Sequence, residues 1–236
     1  MKLIIFAGGY GTRVAEKSDY IPKPMIKIGK KPILWHIIKY YSVFGFSDFI
    51  ICGGYKIDII KKYFNSNNKQ LDKSWNIKVV NTGKNNNTGE RLRRVEKYVN
   101  STFCLTYGDG LSNLDINKLV AFHKKNKSVA TLTTVRPEPH FGEILFKGNR
   151  VHKFFEKNHN REKWINGGFF VCEKKIFQYL KKKSIFESDT LPTLAKRKIL
   201  FAFKHYGFWR CMDALREGRR LNSLWTLKKA PWKIWD

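Results

Sequence analysis

The chain has 236 residues, 42% of them hydrophobic and 15% aromatic, enough to bury a substantial core, which excludes a disordered chain. The start MKLIIFAGG is too short in apolar residues for a signal peptide and no run of about 18 apolar residues follows, so a soluble, cytoplasmic protein with no membrane partner is expected. Lys and Arg total 46 against 19 acidic residues, a formal charge of +27 that favours polyanions or phosphorylated small molecules without choosing among them; much of this lysine also suits a solvated helix surface.

Residues 2–7, KLIIFA, form a short apolar run ended by glycine, the pattern of a buried strand. Pro32 suits the first position of a helix, in which Ile33, Leu34, Ile37, Ile38, Tyr41 and Phe44 recur at helical spacing until Gly45 stops it. A strand over 48–54, a helix over 56–64, a strand over 75–83, a helix over 89–99 and a strand over 102–110 follow. A helix over 115–126, with Asp115 as its cap, then precedes a strand over 129–135. Strand and helix in strict turn predict crossover connections, hence an α/β fold with a mostly parallel sheet sandwiched by helices.

After Arg136 the rhythm changes. FGEILFKGNRVHKFFEK reads as two strands around the turn KGNR, and WINGGFFVC as another strand. Helical segments fall near 174–182 and 190–198, and a strand over 199–209 feeds a last helix from Met212. No linker rich in Pro, Gly or Ser divides the chain, so 1–236 reads as a single domain, 1–135 as one half and 136–236 as the other, with a small C-terminal extension. Cys52, Cys104, Cys172 and Cys211 are widely spaced in strand-like stretches and predict reduced core residues rather than a zinc site. The histidines are scattered and form no H-E-x-x-H.

In an open parallel sheet the ligand lies beyond the carboxyl ends of the strands. Four unusual segments fall at such ends: GGYGTR, NTGKNNNTGER, YGDG and GFWRCMD. The first could be a tight turn or a dinucleotide fingerprint. Val14 stands where that fingerprint needs a third glycine, however, and no Walker loop is present. What is left is a loop of small residues whose backbone N–H groups can approach an anion, with Thr12, Arg13 and the proline-flanked Lys23 to neutralise it. Asp109 stands between glycines at a strand end, where it is either a turn residue or a carboxylate for a divalent metal over phosphates. Asp213 caps the last helix or shares that metal.

The order GGxGTR, PKPM, GDG, FxEK, NGG and a strand-to-helix MD resembles the sugar-phosphate nucleotidylyltransferases. PKPMIKIGKKPILWHIIKYYS, TYGDGLS, WINGGFFV, HYGFWRCMD and APWKIW extend the likeness along almost the whole chain and point to the cytidylyl branch. The resemblance implies the Rossmann-like nucleotidyltransferase fold, with a nucleotide-binding first half and a sugar-binding second half. It implies CTP and glucose 1-phosphate as substrates, CDP-glucose and pyrophosphate as products, Mg²⁺ as cofactor, no nucleic-acid partner, and a role in surface polysaccharide synthesis. It also implies a homo-oligomer, which the exposed-looking aromatic tail from Trp225 to Trp235 supports.

Roles follow for the matching positions. Phe6, Ala7, Gly8, Gly9, Tyr10, Gly11, Thr12, Thr88, Arg91 and Gly108 would hold the nucleotide, and Arg13 and Lys23 its phosphates. Asp109 and Asp213 would hold the metal, and Arg13, Lys23 and Asp109 would be catalytic. Glu156, Lys157, Asn166 and Gly167 would bind the sugar phosphate, while Arg93 and Arg94 read as surface charges. Three positions depart from the branch: Glu90 replaces a glycine near the expected triphosphate, Asn86 a threonine and Asn158 a proline. The segment between Phe64 and Trp75 is also short. These departures leave open another base, such as uracil or thymine, or another hexose phosphate. A non-catalytic, nucleic-acid-binding protein is the reading from a different class.

Overall fold

Burial on both faces marks the first strand: in β1, Lys2–Ala7, all residues after Lys2 are buried. The computed structural model describes residues 1–10, 21–137, 142–156 and 163–236. After β1 come a 3-10 turn at Lys23–Met25, a small hairpin of β2 (Lys27–Ile28) and β3 (Lys31–Pro32), and α1 (Ile33–Val43). Next are β4 (Asp48–Gly53), α2 (Ile57–Tyr63), β5 (Asn76–Asn81), α3 (Thr88–Arg93), β6 (Phe103–Tyr107), β7 (Gly110–Ser112), α4 (Ile116–Asn126) and β8 (Ala130–Val135). The second half supplies the hairpin β9 (Glu143–Lys147) and β10 (Arg150–Phe155), β11 (Ile165–Cys172), α5 (Leu191–Lys196), β12 (Leu200–His205), β13 (Trp209–Cys211) and α6 (Leu215–Thr226).

Seven of these strands form one sheet in the order β12-β8-β11-β6-β1-β4-β5, in which β11 alone runs antiparallel to its neighbours β6 and β8. The expected mixed, mostly parallel sheet is therefore present, and strands from both halves of the chain share it. Alternation along β1 separates two cores. Leu3, Ile5 and Ala7 pack with α1, α4 and the C-terminal tail, whereas Ile4 and Phe6 face Leu92, Phe177, Phe186 and Leu194 on the other side.

Several expected elements break where the site is built. The helix expected over 89–99 ends at Arg93, because bonding changes from Arg94 N–H on Glu90 O to Val95 N–H on Leu92 O, and a 3-10 turn follows at Glu96–Tyr98. The strand expected over 102–110 divides. Gly108 N–H makes the last bond to Phe6 O, and β7 leaves to pair with β13 in a separate two-stranded sheet. The strand expected over 199–209 likewise divides into β12 and β13. The segment near 174–182 is a 3-10 helix over Lys174–Tyr179, and a π-turn at Phe186–Thr190 precedes α5.

The aromatic tail corrects another expectation. Trp232 is fully buried, and Trp225 and Trp235 pack around His36 of α1. His36 Nε2–H donates to Ile28 O at 3.0 Å and its Nδ1 faces Trp232 Nε1–H, while desolvation lowers its pKa to about 4, so the ring is neutral at pH 7. Gly29, at φ +61°, lies against Trp225: a Cβ there would fall 2.4 Å from the indole nitrogen. The tail is thus an internal buttress, and its aromatic content says nothing about other subunits. Cys52, Cys104 and Cys172 are buried and Cys211 is partly so, all as free thiols. No helix among the described residues is long and apolar enough to cross a membrane.

Candidate active site

A cavity of about 530 Å³ opens at the carboxyl ends of β1 and β6. The expected nucleotide residues Phe6, Ala7, Gly8, Gly9, Tyr10, Lys23, Thr88, Arg91 and Gly108 all border it, together with Asp109. Gly11, Thr12, Arg13 and Lys157 lie outside the described residues. The position follows from the fold: a parallel strand ends where its N–H and C=O groups lose their partners, and the turn after β1 faces the turn after β6.

Lys23 reaches into this cavity from the 3-10 turn. Its Nζ lies 2.6 Å from Asp109 Oδ2, with side-chain exposures of only 14% and 22%. The two prolines flanking Lys23 fix its backbone, which lowers the entropy lost in holding the ammonium there. Asp109 is tied to the second expected carboxylate through the backbone, since Met212 N–H donates to Asp109 O at 2.8 Å and Cys211 pairs with Gly110. Asp213 follows at once. It does not cap α6, whose N-cap is Ala214, and it stands outside the cavity wall. Burial first, then the charges of Asp109 and Asp213, pushes the Cys211 thiol pKa far up, so it stays protonated. Among the described residues no three His, Cys, Asp or Glu side chains gather as a metal cluster. Asp109 alone of the two expected carboxylates borders the cavity, which suits a cation that takes one or two carboxylates and completes its shell with phosphate oxygens and water. The ammonium already at Asp109 shows that this carboxylate presents itself to a positive charge.

Arg91 is 3% exposed and holds the cavity together. Its guanidinium donates to Gly8 O and Gly83 O, each at 2.8 Å, to Thr82 Oγ1 at 2.9 Å, to Lys84 O at 3.2 Å and to Gly53 O at 3.3 Å. One side chain thereby ties the ends of β1, β4 and β5. Burial is the largest influence on it and lowers its pKa. Gly8 follows from the same contact, since a Cβ there would lie 2.1 Å from the guanidinium. Tyr10 closes the outer rim: its hydroxyl donates to Asn85 Oδ1 at 2.5 Å, and Lys84 lies over the rings of Tyr10 and Tyr55.

Glu90 does not approach the cavity. It is 2% exposed and faces the opposite way, accepting from Arg93 Nε at 2.8 Å, Arg94 Nε at 2.9 Å and Lys183 N–H at 3.2 Å. Arg93 and Arg94 lie at the surface as expected, and both pair with this buried carboxylate. The Arg93 bond is the largest factor holding the Glu90 pKa down at about 2, against an ordinary 4.5. A depressed carboxylate pKa stabilises the fold above pH 4.5 and loses that stabilisation as the pH falls through about 2. Glu90→Gln is accordingly expected to flatten the fall in urea midpoint over that window; an acid limb as steep as the wild type's would remove Glu90 from its cause.

The expected sugar-phosphate residues sit to one side of the cavity. Asn166 and Gly167 lie where β11 bulges against β8. Asn166 Oδ1 accepts from Gly168 N–H at 2.8 Å, its Nδ2 donates to Tyr107 OH at 3.3 Å, and Gly167 O accepts from Trp209 Nε1 at 2.7 Å. Glu156 follows β10 at an exposed position. The structure also brings in a residue that sequence reasoning missed. Glu187, from the π-turn, lines the cavity and accepts hydrogen bonds from the hydroxyls of Thr88 and Tyr107. No local signal marks it, because its partners lie 80 and 99 residues away in the chain.

Comparison with known proteins bears on the chain as a whole. The family model described as nucleotidyl transferase matches residues 2–212. The chain is 42% identical over 258 aligned positions to the glucose-1-phosphate cytidylyltransferase of Salmonella typhimurium, with both chains covered in full. It is 37% identical over 255 positions to the probable glucose-1-phosphate cytidylyltransferase of Bacillus subtilis, again with full coverage of both. Among solved structures, HddC from Yersinia pseudotuberculosis complexed with GMP-PN matches with a TM-score of 0.72 at 26% identity, covering 95% of this chain and 99% of that one.

Proposed function

The chain belongs to the nucleotidyl transferase family, and on that premise we propose that it joins CTP to α-D-glucose 1-phosphate, releasing CDP-glucose and pyrophosphate. The observation that carries this reading is the cavity at the ends of β1 and β6. There a turn of small residues, the Lys23 ammonium and the Asp109 carboxylate converge, in a chain that matches the cytidylyltransferases over its whole length.

The chemistry asks little of a proton acceptor. A phosphate monoester has a second pKa of about 6, so at neutral pH the attacking oxygen is already anionic. That oxygen forms a bond to the α-phosphorus of CTP, and the bond from that phosphorus to the oxygen bridging to the β-phosphate breaks in line, leaving pyrophosphate. The obstacle is repulsion between two anions, and positioning plus fixed positive charge removes it. Lys23 supplies one charge, held against Asp109 until phosphate oxygens compete for it. The backbone of Gly8 and Gly9 lines the same cavity, with the Gly8 carbonyl turned away to Arg91. Asp109 and Asp213 would hold Mg²⁺, which when bound neutralises phosphate charge. Arg13 and Lys157 complete the cationic set on sequence likeness, Lys157 with Glu156, Asn166 and Gly167 at the sugar phosphate. Cytoplasmic location, assembly with copies of itself, absence of a nucleic-acid partner and supply of an activated sugar for surface polysaccharide belong to the same proposal.

The test is pyrophosphate release from CTP and glucose 1-phosphate with Mg²⁺, run beside UTP, dTTP, GTP and other hexose 1-phosphates. Fastest turnover is expected with the first pair. No turnover with any pair, together with salt-sensitive RNA binding, would overturn the reading in favour of a nucleic-acid-binding protein.

A further inference from the structure

Glu187 is an anomaly in a cavity meant for a polyphosphate. It sits in the π-turn Phe186–Thr190, a rare backbone form that recurs at functional sites. Its Oε2 accepts from Thr88 Oγ1 at 2.5 Å and its Oε1 accepts from the Tyr107 hydroxyl. Burial and then the neighbouring Glu187 push the Tyr107 pKa far up, so the phenol stays protonated and remains a donor. Among the described residues no Lys, Arg or His pairs with Glu187. The carboxyl group is therefore held in place by two hydroxyl donors, with one further acceptor position on each oxygen.

Charge decides what can lie beside it. A triphosphate placed against Glu187 would face a carboxyl group that no cation among the described residues pairs, whereas Lys23 and the glycine turn, which line the same cavity, offer it cationic and N–H donors. The neutral part of the nucleotide is then left for Glu187. The hexose is the weaker occupant, because Glu156, Asn166 and Gly167 are absent from the cavity wall and Tyr107 stands between Asn166 and Glu187.

We propose that Glu187, positioned by Thr88 and Tyr107, selects the nucleotide by accepting a hydrogen bond from the nucleoside, at the base amino group or at a ribose hydroxyl. This rests on the nucleotidyl transfer proposed above. A carboxylate rejects a partner that offers only acceptors: uracil presents an oxygen where cytosine presents an amino donor, and a deoxyribose lacks the 2′-hydroxyl.

The experiment compares wild type and Glu187→Gln in kcat/KM for CTP, UTP and 2′-deoxy-CTP at fixed glucose 1-phosphate, with calorimetric binding of each nucleotide. The wild-type preference for CTP is expected to fall about tenfold in the variant, mainly through KM. A fall against UTP alone assigns the base amino group, and a fall against 2′-deoxy-CTP alone assigns the ribose. Both ratios within twofold of wild type, in a variant that melts like the wild type, would overturn the proposal. If Glu187→Gln does not fold, Glu187→Asp, which withdraws the charge by one methylene, is read in the same way. Wild-type turnover of CTP is the separate control. Its absence counts against the proposed reaction, and the calorimetric comparison then still decides the role of Glu187.

Discussion

Lys23→Met is expected to lower kcat/KM for CTP by about a hundredfold to a thousandfold while leaving the melting temperature close to the wild type's. The magnitude follows from what the ammonium faces: it is 14% exposed in a cavity partly screened from water, where a fixed charge acts on developing phosphate charge far more strongly than at the surface. Methionine keeps most of the apolar stem of lysine and removes the charge, so the loss reports chiefly on the ammonium. Stability changes little because the lysine and Asp109 both open onto the cavity, and water replaces each in the partner's shell. Asp109→Asn is the companion variant. If Lys23 served only to hold Asp109, the two single variants and the double variant would all be impaired to the same degree. If Lys23 acts on the phosphates directly, the double variant falls well below either single one. A Lys23→Met enzyme within fivefold of wild type would remove Lys23 from the catalytic set.

What the sequence made legible was whatever depends on short-range pattern. The strands of the sheet announce themselves as apolar runs of the right length, and the parallel order follows from their alternation with helices. Gly8 and Gly9 after β1, Lys23 between its prolines and Asp109 between its glycines were readable as cavity residues because they follow strand ends, where an open parallel sheet leaves its crevice. The unreadable parts depend on contacts between distant segments. The break after Tyr107 is invisible in TYGDG itself, since it arises when Asp109 O takes the N–H of Met212 and β7 turns to pair with β13. Glu90 looked like a carboxylate misplaced near phosphates. Only the packed structure turns it away, onto Arg93, Arg94 and the N–H of Lys183. The Trp225 to Trp235 tail looked exposed because aromatic spacing alone does not reveal the cleft against His36 that receives it. Glu187 is the extreme case, a single carboxylate in SIFESDT with nothing around it to suggest a cavity.

Arg91→Met is expected to destabilise the protein by about 3 kcal/mol or more, lowering its melting temperature by roughly 10 °C, besides weakening nucleotide binding. The guanidinium contributes donors to four carbonyls and one hydroxyl drawn from three stretches of chain: Gly8, Gly53 and the run from Thr82 to Lys84. Each acceptor was placed so that its carbonyl points inward, and deleting the donor leaves inward-pointing oxygens beside a side chain that cannot hydrogen-bond. Removal of one partner from a buried hydrogen bond costs about 1 to 3 kcal/mol, and water entering from the cavity offsets part of a total drawn from five such bonds. The expected effect separates two roles for the residue. If Arg91 acts only on nucleotide, the variant melts like the wild type and loses affinity alone. If it is the clamp seen here, unfolding midpoints fall even without nucleotide, and the glycine turn after β1 exchanges its amide hydrogens faster because its carbonyl anchor is gone. Gly8→Ala reaches the same clamp from the other side, its Cβ displacing the guanidinium, and is expected to lower the melting temperature in the same direction. Agreement between two substitutions on separate segments would assign the effect to their contact.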